Sequence, residues 1–532
     1  MTPALFLKNG NVWTGDPRRP RAESLLIMDG RILAVGTSKE LEAHEAAPNA
    51  LPLDLKGRSV LPGFTDAHLH LTASARQMSA LSLNEASSLT EAMEMVRERA
   101  ISLKPEEWVY GVRFDNSTWP EKRLPTMADI DALGVPNPVL LLRVCAHIHV
   151  ANRKAILLGG ITASREGVRL DERGEPDGVL HENAANPVVE VMKQSLYGGE
   201  NDEKAILAAC RKMAAEGITS IHPCSADSYG LGENMKAIHA LRARGRLPQR
   251  VVSYHDSFFD DGRQSGHGDM WIRYGGYKMF LDGSLGGRTA AMTFGYQDEP
   301  SNRGTLNHTQ EQVNDMLCEA HSRGVQAQVH AIGDAAVDQF ITAVEKAIET
   351  GPNPCGLPHR IVHLQVCRPD QMEKLKRMGA VCDIQPPFVP SDIRIAGERV
   401  GEERISWAYA WRSMMEAGLT VTGSSDNPVE PTNPWRGVWA AVNRVDDNGL
   451  PEGGWRPDQK LTLDQALTIY CVNAHKAVGT DSMLGRLSAG MLADLTVLDR
   501  NVEETRHEDL LHVKPVLTML EGRATFGEVE RV

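Results

Sequence analysis

Five side chains able to bind a metal stand at comparable places in this chain: each falls at or near the end of a short apolar run. His68 and His70 close SVLPGFTDAHLH, His330 ends VQAQVHA, His363 sits in RIVHLQV, and Asp426 ends LTVTGSSD. Neutral imidazoles with one carboxylate suit a divalent metal, zinc first, with manganese or iron also possible and one position left open for water. Alternation along a strand turns His68 and His70 to the same side. An HxH pair alone carries little weight, because His147 and His149 in CAHIHVAN form another. The weight lies in the set. Lys278, inside the run GGYKMFLDG, is a sixth candidate. A lysine inside a barrel is costly unless neutralised or paired. Carbamylation by CO₂ would turn it into an anionic bridge between two ions, and an ion pair with Asp282 or Asp426 is the alternative.

These residues need a scaffold that delivers strand ends to one rim. Eight apolar runs, at 59–68, 218–223, 250–255, 275–283, 325–331, 360–366, 380–386 and 419–426, are mostly separated by helical patterns such as 311–324 and 336–350. Eight alternating β/α units predict an α/β fold, a (β/α)8 TIM barrel, whose active sites lie at the C-terminal ends of the strands. The count requires residues 75–200 to be an inserted α/β lobe after strand one, placed over the active site. The two ends of the chain are rich in short strands and turns, with an Asp29-Gly30 hairpin signal between apolar runs. They predict a small β-sandwich from residues 1–58 and 485–532, leaving 59–74 and 201–484 to the barrel.

The net charge of −13 opposes nucleic-acid binding, and 42% hydrophobic with 24% charged residues is ordinary for a soluble globular enzyme. No apolar run is long enough to span a membrane, and MTPALFLKNGNVWTG lacks the features of a secretory signal. The eight cysteines contain no CxxC pair and read as buried free thiols. A small-molecule substrate, a cytoplasmic location and a homodimer are the expectations that follow.

The motifs GFTDAHLH, KMFLDGSLGGRTA, VHAIGDAAV and TGSSDNPVEP resemble those of the amidohydrolase superfamily. With RFDNSTWPEKRLPT, HIHVANRKAI, PDGVLHENA, RISWAYAWRSMMEAG and GRLSAGMLADLTVLD, the resemblance narrows to its family-3, YtcJ-like branch and is similar to N-substituted formamide deformylase. It implies a hydrolase that cleaves an amide-type C–N bond with metal-activated water. Asp426 would take the water's proton and return it to the leaving nitrogen. His363 would be a ligand or would stabilise the developing oxyanion. Glu182 matches an acidic position of the branch and is a candidate to reach the metal or the substrate from the inserted lobe, with a helix-start carboxylate as the alternative. Cys145-Ala146 and His149 depart from its pattern, where Asp-Gly and a small residue are common. Arg288, in the loop after strand four, is a candidate substrate clamp, and Trp119, Phe114 and Phe388 are candidate pocket walls. His222 and His255 end strands two and three and read as packing residues. The rivals are deamination of an aminated heterocycle, disfavoured because HAIGDAA lacks a glutamate behind His330, and ester, lactone or carbamate hydrolysis on the same metal. A metal-free scaffold is disfavoured by the intact ligand set.

Overall fold

One run of sequence becomes two strands at Gly63. The computed structural model, which describes residues 4–144, 147–196, 200–224 and 231–528, divides the expected first strand into Ser59–Pro62 and Phe64–Leu69. A Cβ at Gly63 would stand 2.1 Å from Thr219 Oγ1, so the crossing takes the residue that has none. Ser59–Pro62 joins a six-stranded sheet with Arg523–Phe526, Pro515–Leu520, Leu495–Leu498, Asn11–Trp13 and Arg21–Ala22. The terminal β-layer therefore reaches Pro62 rather than ending at 58.

A four-stranded sheet of Arg31–Gly36, Ser24–Met28, Leu5–Lys8 and Leu51–Asp54 shares an apolar core with this sheet through Leu7, Leu25, Val60, Leu495 and Met519. Its Asp29-Gly30 turn has positive φ at both residues, 49° and 78°, the type I′ geometry that fits the twist of a tight hairpin.

Phe64–Leu69 is barrel strand β1. After it come β2 (Ile218–Pro223), β3 (Arg250–His255), β4 (Ile272–Phe280) and β5 (Gln326–Ala331). The last three are β6 (Arg360–His363), β7 (Val381–Ile384) and β8 (Thr420–Gly423). Each pairs in parallel with the next. Beyond the end of β8 the chain returns to β1, where Asp426 N–H donates to the His68 carbonyl at 2.9 Å. Helices Gln310–Ser322 and Asp334–Glu349 lie close to their expected spans, the first capped by Thr309. The α/β barrel expected from the eight runs is the fold observed.

The barrel interior is tied by charge as well as by packing. Arg360 and Asp383 have fully buried side chains and meet through 2.9 Å contacts from Nε and Nη2. The guanidinium also donates to the Ala67 carbonyl on β1, the Tyr254 hydroxyl on β3 and His222 Nδ1 on β2. Asp383 accepts from Thr422 on β8 at 2.6 Å and from Gln328 on β5 at 3.4 Å.

Residues 74–208 and 233–240 form a second compact unit. Its six-stranded sheet contains Val109–Phe114, Val139–Arg143, Ile148–Ala151 and Pro176–His181. The run PVLLLRVCAHIHVA is thus two antiparallel strands, and the departure at Cys145-Ala146 lies outside the described residues. No helix among the described residues is long and apolar enough to cross a membrane, and their seven cysteines are free.

Removing one partner of the interior pair leaves a buried, uncompensated charge. Arg360→Met should lower stability by about 3–5 kcal/mol, and Arg360→Met with Asp383→Leu should recover most of it. Chemical denaturation midpoints check both.

Candidate metal centre

β1 places His68 near its end and His70 just beyond it, and the return of the chain from β8 brings a carboxylate to both. Asp426 Oδ1 lies 3.2 Å from Nε2 of His68 and 3.2 Å from Nε2 of His70. His363, at the end of β6, completes a group with His68 and Asp426 whose ligand atoms all lie within 4.8 Å of one another. His68, His363 and Asp426 are buried, and His70 is partly so. His363 and Asp426 adopt φ of 75° and 55°. That left-handed backbone costs about 1–2 kcal/mol in a residue with a Cβ. The surroundings impose it, in part through the Asp426 N–H bond to His68 and the Leu364 N–H bond to Ala331.

The hydrogen bonds assign one nitrogen of each ring. His363 Nδ1 lies 2.8 Å from Gln385 Oε1, and the Gln385 amide is oriented by its own donation to Ser424 Oγ and the Asp383 carbonyl. His68 Nδ1 lies 3.3 Å from Gln328 Oε1, while Gln328 Nε2 donates to the Ala67 carbonyl. His330 Nε2 lies 3.0 Å from the Gly283 carbonyl and 3.3 Å from Asp282 Oδ1. Each of these partners is an acceptor, so each ring donates to it and keeps the lone pair on its other nitrogen, the state a metal ligand requires. His330 packs 4.4 Å from His363, ring to ring, but stands outside the tight group of His68, His363 and Asp426.

The centre fits a cation. Asp426 Oδ1 is buried without a hydrogen-bond partner although two imidazole nitrogens stand 3.2 Å away, as ligands sharing an ion would stand. Burial works to raise the Asp426 pKa, yet His68, His70 and His363 hold it well below the carboxylate range. Burial works to lower the pKa of His70, yet Cys224 and Asp426 raise it to about 10. Positive charge is thus favoured at His70, whereas burial and the neighbouring His330 hold the His363 pKa well below the usual imidazole value.

Lys278 is buried with its amine 3.5 Å from His68 Nε2 and 4.6 Å from the centre of the Phe280 ring. Burial lowers its pKa. Neither Asp282 nor Asp426 lies within ion-pair distance; Asp282 instead accepts backbone N–H groups of Ala291, Ile332 and Gly333.

Phe388 stands beside the centre, stacked on His363 at 6.0 Å. Arg288 sits on the loop after β4, where its guanidinium holds Asp298 at 2.7 Å. Within the second unit, Glu182 is exposed and contacts His147 Nδ1 at 3.1 Å. His149 is partly buried, and burial lowers its pKa to about 4. Trp119 corrects the expectation of a pocket wall: it is fully buried, stacked on Phe114, with its indole N–H on the Ala86 carbonyl at 2.8 Å. An indole so enclosed presents no surface to a substrate. His222 receives Arg360, and His255 bonds Ser253 Oγ at 3.0 Å, both inside the barrel wall.

Three residues at the centre went unread in the sequence. Gln328 and Gln385 hold the candidate ligand imidazoles of His68 and His363. Cys224, directly after β2, places Sγ 3.4 Å from His70 Nδ1. Gln328 had a signal, since it precedes His330 by two on one strand and so shares its side. Cys224 had only its place after a barrel strand.

A parallel barrel with imidazoles and a carboxylate gathered at its C-terminal rim defines a class of metal-site enzymes. The Amidohydrolase family profile matches residues 53–526, and the chain belongs to that family. YtcJ of Bacillus subtilis (strain 168) is 29% identical over 497 residues, covering 92% of this chain and 93% of that protein. The N-substituted formamide deformylase of Arthrobacter pascens is 28% identical over 541 residues, with 97% of each covered. The crystal structure of an uncharacterized metal-dependent hydrolase from Pyrococcus horikoshii OT3 is similar at 28% identity, with a TM-score of 0.77 over 95% of this chain and 99% of that one.

Gln328 orients His68 without being a candidate ligand. Gln328→Leu should weaken metal retention roughly 10–100-fold while leaving the far-ultraviolet circular dichroism unchanged, as titration with a competing chelator would read.

Proposed function

We propose that this protein is a metal-dependent hydrolase that cleaves an amide-type C–N bond in a small N-acyl, N-formyl or related compound. The observation that carries the reading is the convergence of His68, His363 and Asp426 at one rim, with His70 on the same carboxylate. The family membership and the similarity to a formamide deformylase support the bond class. A divalent cation held there, zinc for this donor set, would supply Lewis-acid activation of water and of the scissile carbonyl.

The chain's own groups account for the proton and the oxyanion. Asp426 is anionic, so it can orient the attacking water, accept its proton and deliver it to the leaving nitrogen. His363, fixed by Gln385, serves as a ligand or as a stabiliser of charge on the former carbonyl oxygen. His68, His70 and His330 complete the proposed ligand set. Lys278, with no carboxylate at ion-pair distance among the described residues and its amine against His68, is the proposed site of carbamylation. Phe388 forms an apolar wall beside the reacting groups, and Arg288 a polar contact on the loop after β4.

Two measurements test this. A metal-loaded screen over N-formyl, N-acyl and carbamoyl compounds should detect hydrolysis, and Asp426→Ala or His330→Ala should lower kcat by at least about a hundredfold with the fold retained. Ammonia released from aminated heterocycles, or turnover confined to esters and lactones, would replace the C–N reading. Lys278→Ala should lose metal, with partial recovery of metal and rate on adding short carboxylic acids. Unchanged stoichiometry without rescue would remove the carbamate.

A further inference from the structure

The barrel rim holds a nucleophilic group that the reading above does not use. Cys224 follows β2 directly and is buried, with 3% of its surface exposed. Its backbone is pinned on both sides: its N–H donates to the Leu69 carbonyl of β1 at 2.9 Å, and it bridges to Tyr254 of β3. The thiol is therefore delivered to a fixed place beside the two β1 imidazoles. Sγ lies 3.4 Å from His70 Nδ1, and the ligand atoms of His68, His70 and Cys224 lie within 4.8 Å of one another. Other buried thiols sit differently. Cys471 contacts the Pro62 carbonyl and Cys367 the Arg368 carbonyl. Among the described cysteines, Cys224 is the one in a group with metal-ligand spacing.

A second observation points to an ion at this place. Asp426 Oδ1, buried and without a hydrogen-bond partner, lies 3.2 Å from Nε2 of both His68 and His70. The same two imidazoles thus have a carboxylate and a thiol close by, and the thiol becomes an anionic ligand on losing its proton.

We propose that Cys224 is a metal ligand, its thiolate joining His68 and His70 in holding the cation of the barrel centre. The inference rests on the metal-centre reading of the same rim and deepens it. Its consequence is metal selection. A thiolate with two imidazoles favours zinc, or cobalt in its place, over the oxygen-seeking manganese and magnesium. On binding, the Cys224 S–H bond is exchanged for a sulfur–metal bond and the proton leaves to solvent, with no change in oxidation state.

The test uses the full chain, stripped of metal and reloaded with zinc or cobalt(II). X-ray absorption of the zinc protein should show a sulfur neighbour at about 2.3 Å beside nitrogen and oxygen neighbours at about 2.0–2.1 Å. The cobalt protein should show a near-ultraviolet thiolate-to-metal charge-transfer band. Both signals should vanish in Cys224→Ser, and zinc retention should fall by at least the roughly 10–100-fold that loss of an outer hydrogen-bond partner costs. Cys471→Ser, a control far from the group, should keep both signals. Metal bound with nitrogen and oxygen neighbours alone in the wild-type chain overturns the assignment of Cys224 and leaves the hydrolase reading standing. A sulfur neighbour without hydrolysis of any compound supports Cys224 and counts against the proposed reaction. A wild-type chain that takes up no metal overturns both.

Discussion

A guanidinium and a carboxylate meet in the interior of the barrel where solvent does not reach either, and the rest of the centre is arranged around them. Arg360 and Asp383 are both fully buried, and between them they engage backbone or side-chain groups on β1, β2, β3, β5 and β8. A charged pair in a low-dielectric interior is tolerated only when nearly every donor and acceptor is used. That demand sets which residues point inward below the rim. Gln328 is one of them. Its amide nitrogen reaches the Ala67 carbonyl and Asp383, so its carbonyl oxygen is left to hold His68. The ion pair is in this sense the floor on which the candidate ligands stand.

Above that floor the barrel places groups that would not otherwise approach one another. Two positions of the centre, His363 and Asp426, occupy left-handed backbone that a residue with a Cβ normally avoids. Closure of the barrel pins one of them: the return from β8 donates the Asp426 N–H to the His68 carbonyl, and Asn427 accepts the His70 N–H at 2.8 Å. Asp66 supports the same seam. It accepts the Ser425 hydroxyl and N–H, and burial raises its pKa to about 6 against those bonds. The strain and the polar burial fall within a few residues of the site, as expected where the surrounding structure over-determines a functional geometry.

Much of this was legible before any coordinates. The eight runs are the eight barrel strands because apolar, β-branched segments alternating with helices have few other compact solutions. The Asp29-Gly30 turn was readable because a two-residue hairpin demands positive φ, and Asp-Gly is a pair that supplies it. Gly63 was harder. Its neighbours are apolar on both sides, so periodicity shows one strand, and only the approach of Thr219 reveals the crossing. Trp119 shows the same limit from the other side. Large aromatics suit a pocket and a core equally well, and the choice depends on whether the indole finds a buried partner, here the Ala86 carbonyl.

The sequence by itself determined the chemistry on offer and its address: imidazoles at the ends of strands one, five and six, a carboxylate after strand eight, and a lysine within strand four. Residue type and strand position are local properties, and periodicity exposes them. Only the tertiary structure decided how those groups are used. It assigned the lone-pair nitrogen of His68, His330 and His363 through Gln328, Gly283 and Gln385. It kept Lys278 beyond ion-pair distance of Asp282 and Asp426 and brought Cys224 to His70 across 154 residues of chain. Hydrogen-bond partners and short contacts between distant segments exist only once the barrel closes, so no pattern along the chain encodes them.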